Sequence, residues 1–236
     1  MIYNILKPKL QTSIFSVKTT LSALFFIFSS LNAQHIHVSK GLETGIYSAN
    51  LAWGLGNFLL IQNQPTNTRN FQIKGLDNHH ITVNNSKIKT ASDITFWSCA
   101  ALSGILAINS DKNVNWKFAN LLVQNTIITA NLTQTVKVLV GRERPSKWNS
   151  NDDYYSFFSG HSSLTASAAA TSLYYAYRIP NAPKHAKIIG WSAAGLSLIT
   201  GILRIEAGKH YPSDVLIGWT VGTGVALLNG YMHRPR

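Results

Sequence analysis

Six stretches of the chain are weakly apolar and are separated by turn-forming residues. The apolar stretches span residues 46–62, 91–109, 118–140, 161–178, 186–203 and 214–231. Each is longer than a typical strand and is rich in Ala, Leu, Ile and small residues, which favours helices. The breaks between them contain Asn, Asp, Ser and Pro, the residues that form turns. The pattern therefore predicts an all-α fold.

The first 33 residues have the features of an export signal. Three lysines precede a short apolar run at residues 21–28, and small residues follow up to Ala33. This order is typical of a signal peptide that is cleaved after Ala33, with an uncleaved anchor helix as the alternative. We therefore expect residues 1–33 to direct export to the cell envelope and residues 34–236 to form one domain.

The chain is poor in charge and yet strongly basic. Charged residues make up 13% of the 236 residues, and 21 Lys and Arg stand against 9 Asp and Glu, for a net charge of +12. This excess favours anionic partners such as phosphates or anionic lipid. Nucleic acid is disfavoured because an exported protein does not meet it and the basic residues are scattered among helix ends. The single cysteine, Cys99, excludes a disulfide framework and a multi-cysteine metal cluster.

Hydropathy does not decide whether the helices cross a membrane. Each apolar stretch has an uncharged window near the lower limit for spanning, and the mean hydropathy of the chain is +0.04. Basic residues in the loop 178–187 and the tail 233–236 favour the cytoplasmic side for these segments, which places the loops 141–160 and 204–213 outside. With a cleaved signal and six spanning helices, those two loops would instead face the cytoplasm. We expect membrane association with both loops facing the periplasm.

Three blocks of sequence hold most of the unusual polar residues. They are KVLVGRERP at residues 137–145, SFFSGH at 156–161 and RIEAGKHYPSD at 204–214. Each block borders a predicted helix, and antiparallel neighbours would bring the loops after the third and fifth helices to one end. We expect seven side chains to converge there: Lys137, Arg144, Ser159, His161, Arg204, His210 and Asp214.

The residue types in these blocks suit phosphoryl transfer. Arg and Lys neutralise phosphate oxygens, and the backbone N–H groups of Ser159 and Gly160 stand at a helix N-terminus, which binds anions. One His can attack phosphorus when a carboxylate holds its far ring nitrogen, and a second His can protonate the departing oxygen. Ser213, at the start of the last helix, is the expected N-cap residue.

The three blocks resemble the signature of the type-2 phosphatidic-acid phosphatase and vanadium haloperoxidase superfamily, KxxxxxxRP, PSGH and SRxxxxxHxxxD. The matching positions are Lys137, Arg144, Pro145, Ser159, Gly160, His161, Arg204, His210 and Asp214. Two positions depart from the signature, since Phe158 replaces its Pro and Leu203 replaces its Ser. The resemblance implies a six-helix bundle over about residues 46–231, with the active site at one end.

The resemblance also implies a role for each matched residue. His210 would be the nucleophile that forms a phosphohistidine, and Asp214 would hold its imidazole. His161 would protonate the leaving group and then assist water. The phosphate would be bound by Lys137, Arg144, Ser159, Gly160 and Arg204. The family works without a metal or another cofactor, which implies none here.

These roles imply a hydrolase of phosphate monoesters or pyrophosphates, with a lipid phosphate or pyrophosphate as the expected substrate. A soluble periplasmic acid phosphatase of broad specificity is one alternative, and vanadate-dependent halide oxidation is another. The departures at Phe158 and Leu203 leave a third, a non-catalytic envelope protein that binds anionic lipid. The sequence does not indicate an oligomeric state.

Overall fold

The computed structural model describes residues 39–62, 69–78, 84–108, 112–146, 155–179 and 182–233. The predicted signal, residues 1–33, lies outside the described residues. Within these ranges the chain forms six α-helices, which confirms the all-α prediction. They are α1 Lys40–Gln62, α2 Ser86–Ile108, α3 Lys112–Val140, α4 Gly160–Arg178, α5 His185–Glu206 and α6 Pro212–Met232.

The first three helices begin five or six residues before the apolar stretches that predicted them. Side-chain caps account for two of these starts. Ser39 Oγ accepts the N–H of Leu42 at 3.2 Å, and Asn85 Oδ1 accepts the N–H of Ile88 at 3.1 Å. The first turns are polar, so hydrophobic periodicity does not reveal them.

Helix α4 is the centre of the bundle and packs against α2, α3, α5 and α6. Most of its residues are buried, and its small side chains let neighbouring helices come close. At Gly222 of α6, an added Cβ would collide with the backbone carbonyl of Ser163. By contrast, α5 and α6 touch little, because both pack on α4 rather than on each other.

The contact between α3 and α4 is polar although it is buried. Asn125 Nδ2 donates to Thr171 Oγ1 at 2.8 Å, and Thr129 Oγ1 donates to Ser167 Oγ at 3.2 Å. Pairing satisfies these groups inside the protein, so the polar residues of α3 are compatible with burial.

Of the six described helices, three are long and apolar enough to cross a membrane: α2, α5 and α6. The outer surface of the bundle carries many large apolar side chains that are well exposed, among them Leu51, Phe58, Trp97, Ile188 and Leu228. An exposed apolar surface of this extent marks an interaction site, and for helices of this length a bilayer satisfies it. The structure thus supports membrane association.

Candidate active site

The three sequence blocks meet at one end of the bundle. Lys137 lies in the last turn of α3, Arg204 in the last turn of α5, and His161 in the first turn of α4. The Lys137 Nζ lies 3.9 Å from the point that a Cβ on Gly160 would occupy, so its ammonium group faces the start of α4. Arg144 extends to the loop before α6, where its guanidinium donates to the carbonyl of Lys209 at 3.1 Å.

His210 lies at the centre of this group and is 1% exposed. Burial is the largest cause that lowers the pKa of His210 well below its ordinary value of 6.5. The positive charges of Arg144, Arg204 and Lys137 lower it further, and so does His161. These four side chains, all among those expected to converge, thus lie within electrostatic range of this imidazole. We name the basic groups of Lys137, Arg144 and Arg204 the cationic cradle.

The resemblance implies that Asp214 holds the imidazole of His210, but the hydrogen bond of His210 goes to a different group. Asp214 Oδ2 is 3.7 Å from His210 Nδ1, which is too long for a hydrogen bond. Nδ1 lies 2.8 Å from the backbone carbonyl of Ser156 instead. A carbonyl only accepts, so Nδ1 carries the proton and Nε2 keeps its lone pair. Asp214 accepts the Ser156 hydroxyl at 2.5 Å and the Tyr211 N–H at 2.9 Å, so it binds both the residue whose carbonyl contacts the imidazole and the residue that follows His210.

Two helix starts form part of the site, and one differs from the prediction. Ser159 caps α4, where its Oγ accepts the N–H and the hydroxyl of Ser162. The backbone N–H of Gly160 belongs to the first turn and is among the donors that a helix leaves unpaired. The N-cap of α6 is Tyr211 rather than Ser213, because Pro212 takes the first helical position and Asp214 closes the capping box.

Asp77 and Arg142, two members of a buried group beside His210, were not predicted from the sequence. Arg142 is fully buried and pairs with Asp77 Oδ2 at 2.7 Å and with Asp214 Oδ1 at 2.5 Å. Ser213 accepts from Arg142 at 2.8 Å, and its N–H and hydroxyl donate to Asp77. We name Asp77, Arg142, Ser213 and Asp214 the Arg142 cluster. Asp77 stands in an irregular stretch that carries no sequence signal, whereas Arg142 lies inside the first block.

The electrostatics of His210 lead to a prediction about pH. Its pKa is lower in the folded protein than in the unfolded chain, so the unfolded state binds the proton more tightly. The stabilisation is complete above about pH 6.5 and is lost as the pH falls below that value. We expect wild type to lose thermal stability between pH 7.5 and 5.5, and His210→Gln to lose less. Thermal unfolding of both proteins at the two pH values measures the difference, and equal losses would contradict the assignment.

The residues available to bind a metal ion are few at this site. Over the ranges that the structure describes, no group of three or more His, Cys, Asp or Glu side chains has the arrangement of a metal site. The carboxylates nearest His210 are already bonded, since Asp214 is bound to Arg142 and Ser156. The positive charge near His210 comes from the three side chains of the cationic cradle.

A comparison with protein families identifies the superfamily to which this chain belongs. The family model of the PAP2 superfamily matches residues 119–236. A crystal structure of a transmembrane PAP2-type phosphatidylglycerolphosphate phosphatase from Bacillus subtilis is similar at 17% sequence identity and a TM-score of 0.43, over 78% of this chain and 94% of that one. No curated protein matches. The matched segment contains all three blocks, and the chain belongs to the PAP2 superfamily as a phosphoric ester hydrolase.

Proposed function

We propose that the protein is a metal-independent phosphatase that removes phosphate or pyrophosphate groups from a membrane lipid through a phosphohistidine on His210. One observation carries the proposal. The Arg204 Nε is buried and has no hydrogen-bond partner among the described residues. Arg204 belongs to a group of positive charges around the neutral imidazole of His210. A buried donor without a partner is costly, and a phosphate oxygen would satisfy it.

The first half of the reaction transfers the phosphoryl group to the enzyme. The Nε2 lone pair of His210 forms a bond to phosphorus while the bond from phosphorus to the leaving oxygen breaks. His161 gives a proton to that oxygen, which departs as an alcohol or a phosphate. The cationic cradle, with the Ser159 hydroxyl and the Gly160 N–H, stabilises the charge on the equatorial oxygens.

The second half returns the enzyme to its starting state. His161, now neutral, accepts a proton from water while the water oxygen bonds to phosphorus. The bond between phosphorus and Nε2 breaks, the electron pair returns to His210, and inorganic phosphate leaves. His210 carries positive charge in the intermediate, and the Asp214 carboxylate 3.7 Å away stabilises that charge. Asp214 is thus a positioning and electrostatic residue.

A lipid substrate is supported by an apolar cavity in the helices that carry the site. The cavity has a volume of about 360 Å³ and opens between α5 and α6 over the floor of α4. No charged side chain lines it; the lining residues include Ala166, Leu173, Leu198, Leu216 and Gly224. Its size is in the range of ligand pockets. We assign it to a hydrocarbon chain of the substrate, because two of its walls are helices that can span a membrane.

The cavity yields a prediction with a matched control. A Cβ on Gly224 meets no atom within 4 Å, so Gly224→Leu should fill the cavity without a clash in the backbone. We expect kcat/KM for a long-chain lipid phosphate to fall about tenfold, as the loss of one or two kcal/mol of apolar contact implies, while a soluble aryl phosphate is unaffected. Gly195→Leu, with equal space but outside the cavity lining, is the control. Equal effects on both substrates would argue against a chain in the cavity.

We further propose that the site faces the periplasm. The basic residues Lys117, Lys184 and Lys187 lie at the bundle end opposite the cradle, near the starts of α3 and α5. Positive charge that flanks spanning helices favours the cytoplasmic side. With the expected export and this proposed orientation, the substrates would be lipids of the outer face.

The proposed function is tested by phosphate release from detergent-purified protein in excess EDTA. The substrates are phosphatidate, an isoprenyl pyrophosphate and a soluble aryl phosphate. We expect release from at least one lipid, undiminished by EDTA. Release from the aryl phosphate alone would favour the soluble acid phosphatase. Phosphate binding without release from any substrate would favour the non-catalytic lipid-binding protein and overturn the proposal.

A further inference from the structure

Helix α2 contributes to the site although it lies outside the three blocks and outside the matched residues 119–236. Asp93, on its second turn, has one carboxylate oxygen in contact with two site residues. Its Oδ1 is 3.1 Å from His161 Nε2 and 3.2 Å from a terminal nitrogen of Arg204. Its Oδ2 is 3.2 Å from Lys89 Nζ. Asp93 therefore joins two site residues of separate helices.

The neighbours of Asp93 on α2 complete a wall behind His161. The Ser92 hydroxyl accepts from Arg204 at 3.3 Å, and the Phe96 ring centroid lies 4.6 Å from that of His161. The family signature has Ser at the position before this Arg, where this chain has Leu203. Ser92 of α2 supplies Arg204 with a hydroxyl partner. Packing on Phe96 and the bond to Asp93 together restrict the rotation of the His161 ring.

We propose that Asp93 is a positioning residue that sets the tautomer of His161 for proton transfer to the leaving group. Its carboxylate accepts the Nε2–H of His161, so Nδ1 is the nitrogen that exchanges a proton with the leaving oxygen and then with water. This inference rests on the proposed function, in which His161 is the general acid.

The charges around His161 make Asp93 important for holding that proton. Burial, Arg204 and Lys137 lower the pKa of His161 below its ordinary value of 6.5, and Asp93 opposes them. The other charged or titratable groups near His161 are Lys89 on α2, Arg144 after α3 and the neutral His210 before α6. A bound phosphate also favours the imidazolium form of His161, and the negative charge of Asp93 favours that form further. Without the Asp93 charge, His161 should lose its proton at lower pH.

The variant Asp93→Asn tests this role through the leaving group. We expect kcat for an alkyl phosphate to fall about tenfold, the factor that corresponds to one unit of pKa, and the basic limb of the pH profile to move about one unit towards acid. A nitrophenyl phosphate needs little protonation of its leaving oxygen, so its kcat should change little. Lys87→Gln, which removes an exposed charge from the first turn of the same helix, is the matched control and should behave as wild type.

Equal losses on the two substrates, or an unmoved pH profile, would overturn the inference and leave a structural role for Asp93. A second measurement does not depend on turnover. The imidazole NMR signals of His161, assigned with a His161→Gln variant and recorded at neutral pH without phosphate, where the ring is neutral, should show the Nε2–H tautomer in wild type and lose it in Asp93→Asn. If wild type releases no phosphate from any substrate, the proposed function fails, whereas wild-type turnover with unchanged Asp93→Asn kinetics refutes only the role of Asp93.

Discussion

Replacement of His210 by Gln should abolish phosphate release, with a loss on the order of 10⁴ to 10⁶ in kcat, since a proposed nucleophile is removed and no other group can form the intermediate. Gln is close to His in size and can keep the hydrogen bond to the Ser156 carbonyl. The fold should therefore persist. Phosphate release and thermal unfolding of the purified variant measure the two effects separately.

A second buried histidine provides the control. His233 is also 1% exposed, but it follows the far end of α6 and bonds to Glu43 Oε1 at 2.9 Å. The length of α6 separates it from His210 by about 30 Å. His233→Gln should lose stability and keep activity. Labelled phosphate should be trapped on wild type under alkaline quench, where phosphohistidine survives, and not on His210→Gln. Activity retained by His210→Gln would show that the nucleophile has been assigned wrongly.

The second large effect concerns stability. Arg142→Met should lower the free energy of unfolding by about 3–5 kcal/mol, because it leaves the carboxylates of Asp77 and Asp214 buried without their cation. Met keeps an unbranched apolar side chain in place of the Arg142 stem, and it removes the guanidinium carbon that lies 4.0 Å from the centroid of the Tyr211 ring. Denaturant or thermal unfolding in detergent measures the loss.

The double variant Arg142→Met/Asp77→Asn separates charge from packing. Asp77→Asn removes one of the two buried carboxylates that have lost their cation. It should recover about 1 kcal/mol or more of the free energy of unfolding, so the effects of the two changes are not additive. Activity should stay low in both variants, since Asp214 and Ser156 depend on Arg142 for their position and together hold His210. A fully additive pair of losses would mean that the buried ion pair does not account for the stabilisation.

Local sequence was enough to predict the helices and the end of the bundle at which the site lies. Apolar stretches located all six helices, because burial of one face requires apolar residues at helical spacing whatever the partner helix is. The three blocks located Lys137, His161 and Arg204 because each stands at a helix end that a turn or a proline defines. The early starts of α1 and α2 were missed, since their caps are single polar residues, Ser39 and Asn85, in polar surroundings.

The contacts among site residues followed from the tertiary structure alone. Asp77 and Asp93 lie 44 or more residues before the first block, in segments without a motif, and reach the site only because α2 and the preceding loop pack beside α5 and α6. The bond of His210 to the Ser156 carbonyl rather than to Asp214 depends on backbone placement, which side-chain spacing does not encode.

The sequence by itself determined the all-α fold, the basic character and the set of charged groups at the helix ends, because these follow from residue type and local periodicity. The tertiary structure decided which carboxylate pairs with which cation. In a buried site each charge must find a partner in space, and the packing of the helices, rather than distance along the chain, selects that partner.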